Sequence, residues 1–179
     1  MKIYITDLEA YNRGFLVGEW IALPLEVDEL NETINNILFK GQKACSDNYL
    51  HEEFFITDYE ADMSISEYDN IYVLNEIAEA LAEFDEYELL KFKFLVHEGY
   101  IERDIIEKGL DSYEVEIYDL SDDTSFTDTF ELLAMQFVDD GLYGEIPKSL
   151  EFYLDYEKMA RDLRMDYSEF ESNVIGRMV

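Results

Sequence analysis

The sequence predicts an α+β fold built from three small domains. Segments in which apolar and polar residues alternate, as they do in half-buried strands, lie towards both ends of the chain. The middle of the chain changes to the spacing of amphipathic helices. The 179 residues are 48% hydrophobic and include fourteen Tyr, twelve Phe and one Trp, which is enough apolar material for a folded core. We place the domains at residues 1–61 (α+β), 62–108 (mainly helical) and 109–179 (α+β).

The first domain is predicted to contain three strands and a helix. The strands are "KIYITDL", "FLVGEWIAL" after a turn in "AYNRG", and "EEFFITDYE". Asp28 can cap a helix that ends near Gly41, and "FKGQKACSDNYL" is interpreted as a loop. The apolar face of this helix consists of Leu30, Ile34, Ile37 and Leu38.

The middle domain is predicted to contain two helices, each preceded by a capping box. Ser66 and Asp69 form the first box, and Asp85 and Glu88 form the second. The second helix closes near Gly99. The apolar positions are Ile71, Leu74, Ile77, Ala78 and Leu81 in the first helix, and Leu89, Phe92 and Val96 in the second.

The third domain is predicted to begin with the strand "SYEVEIYDL" and to continue with two helices. Asp128 and Glu131 cap the first of these helices, which ends near Gly141. The segment "GEIPKS" leads into the second, which runs through Leu150, Tyr153, Tyr156, Ala160 and Leu163. Trp20 and the tyrosines of "FYLDY" are interpreted as core residues.

The charge of the chain is its most unusual property. Forty-three acidic residues stand against thirteen basic ones, which gives a formal net charge of -30. Fourteen acids lie between Lys43 and Lys91 and eleven between Lys108 and Lys148, with no Lys or Arg inside either stretch. Such a surplus repels itself and weakens the compact state. An acidic surface avoids nucleic acid and anionic membranes, so we expect its partners to be basic surfaces. The alternative is a solvated acidic face that serves solubility alone.

Motifs of catalysis and of metal binding are not found in the sequence. There is no GxGxxG, P-loop or GxSxG motif, so we expect neither an enzyme nor a cofactor. Neither His51 nor His97 has a second His four residues further on, so no zinc helix is expected, and both are interpreted as surface histidines. One Cys and two His are too few for a structural zinc site, and we expect no metal. The single Cys45 and the lack of a long apolar run are typical of a cytoplasmic protein.

Three blocks of the sequence stand out, in this order: "IYITDLEAYNRGFLVGEWIALPLEVDEL", "FFITDYEADMSISEYDNIYVLNEIAEAL" and "GEIPKSLEFYLDYEKMARDL". Together they resemble the ArdA family of antirestriction proteins. The resemblance implies an elongated, curved homodimer of three-domain chains that joins through the third domain. It implies that acidic side chains imitate the phosphates of bent B-form DNA. The partner would be the methyltransferase core of a type I restriction-modification enzyme of the bacterial host, inhibited in its DNA groove while a mobile genetic element enters.

On this interpretation we predict which residues carry the function. The acidic surface that mimics DNA consists of Asp58, Glu60, Asp62, Glu67, Asp69, Glu76, Glu79, Glu83, Asp85, Glu86, Asp111, Glu114, Glu116, Asp119, Asp122 and Asp123. The predicted subunit contact consists of Phe130, Leu133 and Phe137. The segment from Lys40 to Leu50 and the residues Arg161, Arg164 and Arg177 depart from an acidic surface. We expect Arg161 to pair with a nearby acid of the same chain. The alternative function is an acidic chaperone or adaptor that sequesters basic proteins by charge alone.

Overall fold

The computed structural model describes residues 1–123, 125 and 127–179, and these form two compact units. The first unit comprises residues 1–89 and 101–107, and the second comprises residues 90–100 and 108–179. The α+β class is confirmed, with helices and one antiparallel sheet in each unit. The predicted boundary at residue 109 lies one residue from position 108, where the longer segment of the second unit begins. The predicted boundary at residue 61 lies inside the first unit, and the division into three domains stays a prediction.

The sheet of the first unit has β1 (Lys2–Asp7) at its centre, between β2 (Gly18–Ala22) and β3 (Phe54–Glu60). Both neighbours are antiparallel to β1. Ile3 and Ile5 point into the core and are fully buried, as the alternation predicts. The segment predicted as a turn is mainly a short helix, α1 (Leu8–Asn12). It begins there because the Asp7 carboxylate accepts a hydrogen bond from the N–H of Ala10 at 2.8 Å.

Helix α2 (Val27–Cys45) buries the predicted face of Leu30, Ile34, Ile37 and Leu38. Two details of the prediction were wrong. Asp28 lies in the first turn and does not cap the helix, and the segment interpreted as a loop is helical as far as Cys45. Gly41 is a packing residue and not a terminator. A Cβ atom at this position would lie 2.0 Å from Oδ2 of Asp7, so only glycine allows the close approach.

Three helices follow in the middle of the chain: α3 (Ile71–Glu83), α4 (Glu86–His97) and α5 (Glu102–Lys108). The capping box before α4 is confirmed, because Asp85 and Glu88 each accept a hydrogen bond from the other's N–H. The box at Ser66 and Asp69 forms a turn instead. Asn70 caps α3, since its side chain reaches the N–H of Tyr72 at 2.9 Å. Helix α5 was not predicted as a separate element.

The second unit contains β4 (Val115–Asp119), α6 (Thr129–Asp139), α7 (Lys148–Glu151), α8 (Tyr156–Leu163), β5 (Ser168–Glu171) and β6 (Val174–Met178). Strand β4 and the Asp128 cap of α6 are confirmed. The helix predicted after "GEIPKS" is divided in two. The Asp155 side chain accepts from the N–H of Lys158 at 3.1 Å and starts α8 as a separate helix.

The C-terminal segment "SEFESNVIGRMV", for which no strand was predicted, forms the hairpin of β5 and β6. Asn173 adopts the left-handed conformation at its turn, with φ +60°. Strand β6 lies between β4 and β5 and is the centre of this sheet. Ile175 of β6 is fully buried in a core that includes Leu132 and Leu133 of α6.

Candidate functional site

The predicted acidic surface is exposed almost throughout. Fourteen of its sixteen carboxylate residues are exposed, and the remaining two, Glu116 and Asp123, are half-buried. The first unit carries 24 acidic and 5 basic residues, a net charge of -19, and the second carries 19 and 8, a net charge of -11. Each unit therefore has an acid surplus that its own bases cannot neutralise.

Helix α3 shows how the fold presents these charges. Its buried face consists of Ile71, Leu74, Asn75, Ile77 and Ala78. Glu76, Glu79 and Glu83 lie on the opposite face and are exposed. Because these three are spaced by three and four residues, they form one stripe along the helix. Packing of the apolar face thus fixes the direction of the acidic stripe.

The acids that precede α3 are held by the backbone of an edge strand and a turn. Asp58 and Glu60 belong to β3, which pairs with β1 on one side only. Asp69 accepts a hydrogen bond from the N–H of Ser66 at 2.8 Å, which orders the turn. Glu60 pairs with Lys2 at 2.8 Å, so this position carries less net charge than its neighbours.

Three acids of the predicted surface, all in the second unit, have lowered pKa values. Arg177 donates to Glu116 and holds the pKa of that carboxyl below its usual range. Hydrogen bonds from Ser121 lower the pKa of Asp119, and those from Ser125 lower the pKa of Asp123. Hydrogen bonds to a carboxylate favour its charged form. These carboxylates are therefore ionised at neutral pH, although the charge of Glu116 is offset by Arg177.

The arginines that interrupt the acidic surface are paired within the chain. Arg161 contacts Asp162 at 3.0 Å, as predicted, and Arg164 pairs with Asp128. The Arg164 guanidinium also lies over the ring of Phe130, 4.6 Å from its centroid. These contacts reduce the positive charge that the surface presents to a partner.

The three residues predicted for the subunit contact lie in the core of the second unit. Phe130, Leu133 and Phe137 are 8%, 0% and 4% exposed in the single chain. Other apolar residues of the same unit are exposed instead: Leu142, Tyr143, Leu150, Phe152 and Tyr153. Tyr153 of "FYLDY" is 77% exposed and Trp20 is 43% exposed, so the interpretation of these two as core residues was wrong, whereas Tyr156 is half-buried and packs against the core.

A buried polar cluster in the first unit was missed in the sequence. His51 is 4% exposed and not a surface residue. Its Nδ1 lies 2.7 Å from Oδ2 of Asp7, and its Nε2 lies 3.0 Å from Oδ2 of Asp47. Burial opposes the charged ring, but the hydrogen bonds to Asp47 and Asp7 outweigh it and raise the pKa of His51 above its usual 6.5. The signal of this contact in the sequence is Asp47, which lies four residues before His51.

Among the described residues, no helix combines the length and the apolar character that crossing a membrane requires. A search of curated proteins found no significant match. The sequence model of the antirestriction protein (ArdA) family matches residues 3–175, which is nearly the whole chain. Members of this family inhibit type I restriction enzymes and are not a family of catalysts. The chain therefore belongs to the ArdA family of antirestriction proteins.

Proposed function

We propose that this protein inhibits type I restriction-modification enzymes by imitating bent B-form DNA. In this proposal it occupies the DNA-binding groove of the methyltransferase core and needs no catalytic step. The observation that carries the proposal is the exposure of fourteen of the sixteen predicted carboxylate residues, in a chain of the antirestriction family. These carboxylates would take the places of phosphates.

The amount of charge suits a DNA mimic. Duplex DNA carries one negative charge per about 1.7 Å of axis, so thirty surplus charges correspond to about 50 Å of duplex. The stripe on α3 has carboxylates spaced by about 4.5 and 6 Å along the helix axis. One DNA strand carries a phosphate every 3.4 Å or so of duplex axis. The linear charge density of the stripe is thus of the same order as that of one DNA strand.

We also propose that the protein acts as a homodimer joined through its second unit. Phe152 is 92% and Tyr153 is 77% exposed, and their rings are in edge-to-face contact with centroids 5.8 Å apart. Large exposed apolar groups mark sites of association. A dimer would about double the length of duplex that the charge can match.

The deciding experiment compares two triple neutralisations in a competition assay. Protein and duplex DNA compete for a type I methyltransferase core, and the affinity of the protein is measured. One variant is Glu76→Gln/Glu79→Gln/Glu83→Gln on α3. The matched control is Glu26→Gln/Glu29→Gln/Glu32→Gln, which removes three exposed acids at or near the start of α2, outside the predicted surface. Melting temperatures confirm that both variants are folded.

A mimic requires charges at particular places, so the α3 variant should lose clearly more affinity than the α2 variant. Equal losses would favour the alternative, an acidic chaperone or adaptor that sequesters basic proteins by charge density alone. The affinity of the unmodified protein should also fall steeply as salt increases to physiological strength, where the Debye length is about 8 Å. Stable binding of the protein to duplex DNA itself would contradict the proposal.

A further inference from the structure

The buried histidine of the first unit is oriented by a carboxylate behind it. The Asp7 side chain is fully buried and accepts two hydrogen bonds, from the N–H of Ala10 at Oδ1 and from Nδ1 of His51 at Oδ2. In metal sites, a ligating His typically donates its other ring N–H to a carboxylate in this way. The contact with Asp7 directs Nε2 of His51 away from the core, towards α1 and the residues that follow α2.

Two further carboxylates each turn one oxygen towards Nε2 of His51. Oδ2 of Asp47 lies 3.0 Å from it and Oε2 of Glu9 lies 3.7 Å from it. The second oxygen of each carboxylate is held by Arg13, at 2.9 Å for Oδ1 of Asp47 and 2.7 Å for Oε1 of Glu9. The hydroxyl of Tyr49 also donates to Oε1 of Glu9. Arg13 therefore fixes both carboxylates while one oxygen of each still faces the histidine.

Cys45 completes the group at the last residue of α2. One ligand atom each from Cys45, Asp47 and His51 lie within 4.8 Å of one another. In a tetrahedral zinc site, bonds of 2.0 to 2.3 Å place the ligand atoms about 3.3 to 3.8 Å apart. Side-chain rotations that draw the atoms together by about 1 Å would close the site. One Cys and two His are too few for a zinc site by themselves, and here carboxylates supply the remaining ligands.

We propose that Glu9, Cys45, Asp47 and His51 form a binding site for a zinc-like divalent metal ion. Sulfur, imidazole nitrogen and carboxylate oxygen are the ligand types that Zn²⁺ takes, whereas Mg²⁺ and Ca²⁺ prefer oxygen alone. The charges also suit a dication, since Asp7, Glu9 and Asp47 outnumber the single Arg13. The ion would join α1, the end of α2 and the segment before β3, and the site is independent of the proposed DNA mimicry.

The test uses Co²⁺ as a spectroscopic probe for Zn²⁺, on full-length protein freed of metal with a chelator. Coordination through Cys45 gives a thiolate-to-cobalt charge-transfer band, and a four-coordinate ion gives strong d–d bands in the visible. Surface carboxylates of this acidic chain can also hold Co²⁺, but they produce no thiolate band. Zn²⁺ should displace the cobalt and abolish both sets of bands.

Two variants locate the site. Cys45→Ser removes the thiol. Ala44→Cys/Cys45→Ala moves the thiol to the neighbouring exposed position 44 and leaves the amino-acid composition and the net charge unchanged. We expect both variants to lose the thiolate band and to bind Zn²⁺ at least about tenfold more weakly than the unmodified protein. Zn²⁺ should raise the melting temperature of the unmodified protein more than an equal concentration of Mg²⁺ does, and should lose this advantage in both variants.

Three results would overturn the proposal. The first is cobalt binding without a thiolate band, which means an adventitious ion only. The second is a thiolate band that persists when the thiol moves to position 44, since it would show that position 45 is not required. The third is equal stabilisation by Zn²⁺ and Mg²⁺, which would reflect screening of the acidic surface and not a specific site.

Discussion

Arg177 donates two hydrogen bonds to Glu116, from Nε at 2.9 Å and from Nη2 at 3.1 Å. The two residues face each other across the paired strands β6 and β4. The Arg177 guanidinium also lies over the ring of Tyr167, 4.9 Å from its centroid. Arg177, a basic residue in an acidic chain, thus connects the central strand β6 of the second sheet to the edge strand β4.

This pair predicts a pH dependence of stability. The pKa of Glu116 is below its usual 4.5 in the folded chain, mainly because of the hydrogen bond from Arg177. A carboxyl with a lowered pKa stabilises the fold above its unfolded pKa and loses this effect as the pH falls through its folded pKa. Glu116→Gln should therefore lower the melting temperature at pH 7, and the difference from the unmodified protein should shrink below about pH 4.5.

Glu114→Gln is the matched control, because it removes an exposed acid two residues away. We expect it to leave the melting temperature at pH 7 unchanged or slightly raised. Since the Glu116 side chain is about one third exposed, solvent screening limits the effect to the order of 1 kcal/mol or less. A Glu116→Gln deficit that stays constant from pH 7 to pH 3 would contradict the assignment.

The packing of Gly41 predicts that alanine at this position destabilises the protein, although alanine usually stabilises a helix relative to glycine. Alanine is better than glycine inside a helix by about 1 kcal/mol. At position 41, however, the added Cβ would collide with the Asp7 carboxylate. Gly41→Ala should therefore destabilise the protein by about 1–3 kcal/mol, the usual cost of overpacking, as measured by denaturant unfolding. Asn36→Ala, at an exposed position of the same helix, should be neutral or stabilising. An increase in stability from Gly41→Ala would show that α2 and Asp7 are not in close contact.

The surplus charge predicts that moderate monovalent salt stabilises the fold. Screening weakens repulsion between like charges, and thirty of them are left unbalanced here. The melting temperature should rise between low and physiological ionic strength, equally for sodium and potassium chloride. A fall in the melting temperature would mean that ion pairs inside the chain matter more than the repulsion.

The proposed mimicry predicts a distributed function. A solvent-exposed charge contact is worth about 0.2 to 1 kcal/mol, so Glu79→Gln or Asp119→Asn alone should barely change the protection of unmodified DNA. Joint neutralisation of Asp58, Glu60, Asp62, Glu67 and Asp69 should cost a few kcal/mol and be visible in the same assay. Loss of protection from one conservative change in a folded protein would indicate a localised site and exclude the distributed mechanism.

The exposed aromatic residues of the second unit predict the effect of a charge in the subunit contact. Phe152→Asp should convert a dimer to monomers, because burial of a carboxylate in an apolar contact is costly. Sedimentation velocity measures the change. Leu16→Asp makes the same kind of substitution at an apolar residue of the first unit that is 83% exposed, and should leave the dimer intact. A monomer in the unmodified protein, or a dimer that tolerates Phe152→Asp, would contradict the proposed contact.

Periodicity in the sequence predicted the elements whose apolar face is buried. Strand β1, the face of α2 and the face of α3 follow directly from the spacing of their apolar residues. The caps at Asp85 and Asp128 were also predictable, since each is a local contact within a few residues. The exposure of acids between apolar positions follows from the same spacing.

Three of the errors occurred where a distant residue decides the structure. Gly41 has the appearance of a helix terminator, and only its contact with Asp7 shows why the helix continues. His51 is polar and lies in an acidic segment, yet it is buried against Asp7, which lies 44 residues earlier in the chain. The C-terminal hairpin alternates weakly, and the strand that it pairs with lies about 60 residues earlier. Sequence spacing carries no information about such contacts.

Asp7 should tolerate substitution far less than the exposed acids of α3 and β3, because it has three structural roles. Asp7 caps α1, orients His51 and fills the space left by Gly41, so each of its roles depends on the length and position of one short side chain. Glutamate would be too long, and asparagine would lose the charge. At the exposed positions of α3 and β3, Asp and Glu should replace one another freely. A saturation mutagenesis screen for folding should therefore find that position 7 accepts only Asp, whereas the exposed acidic positions of α3 and β3 accept either Asp or Glu.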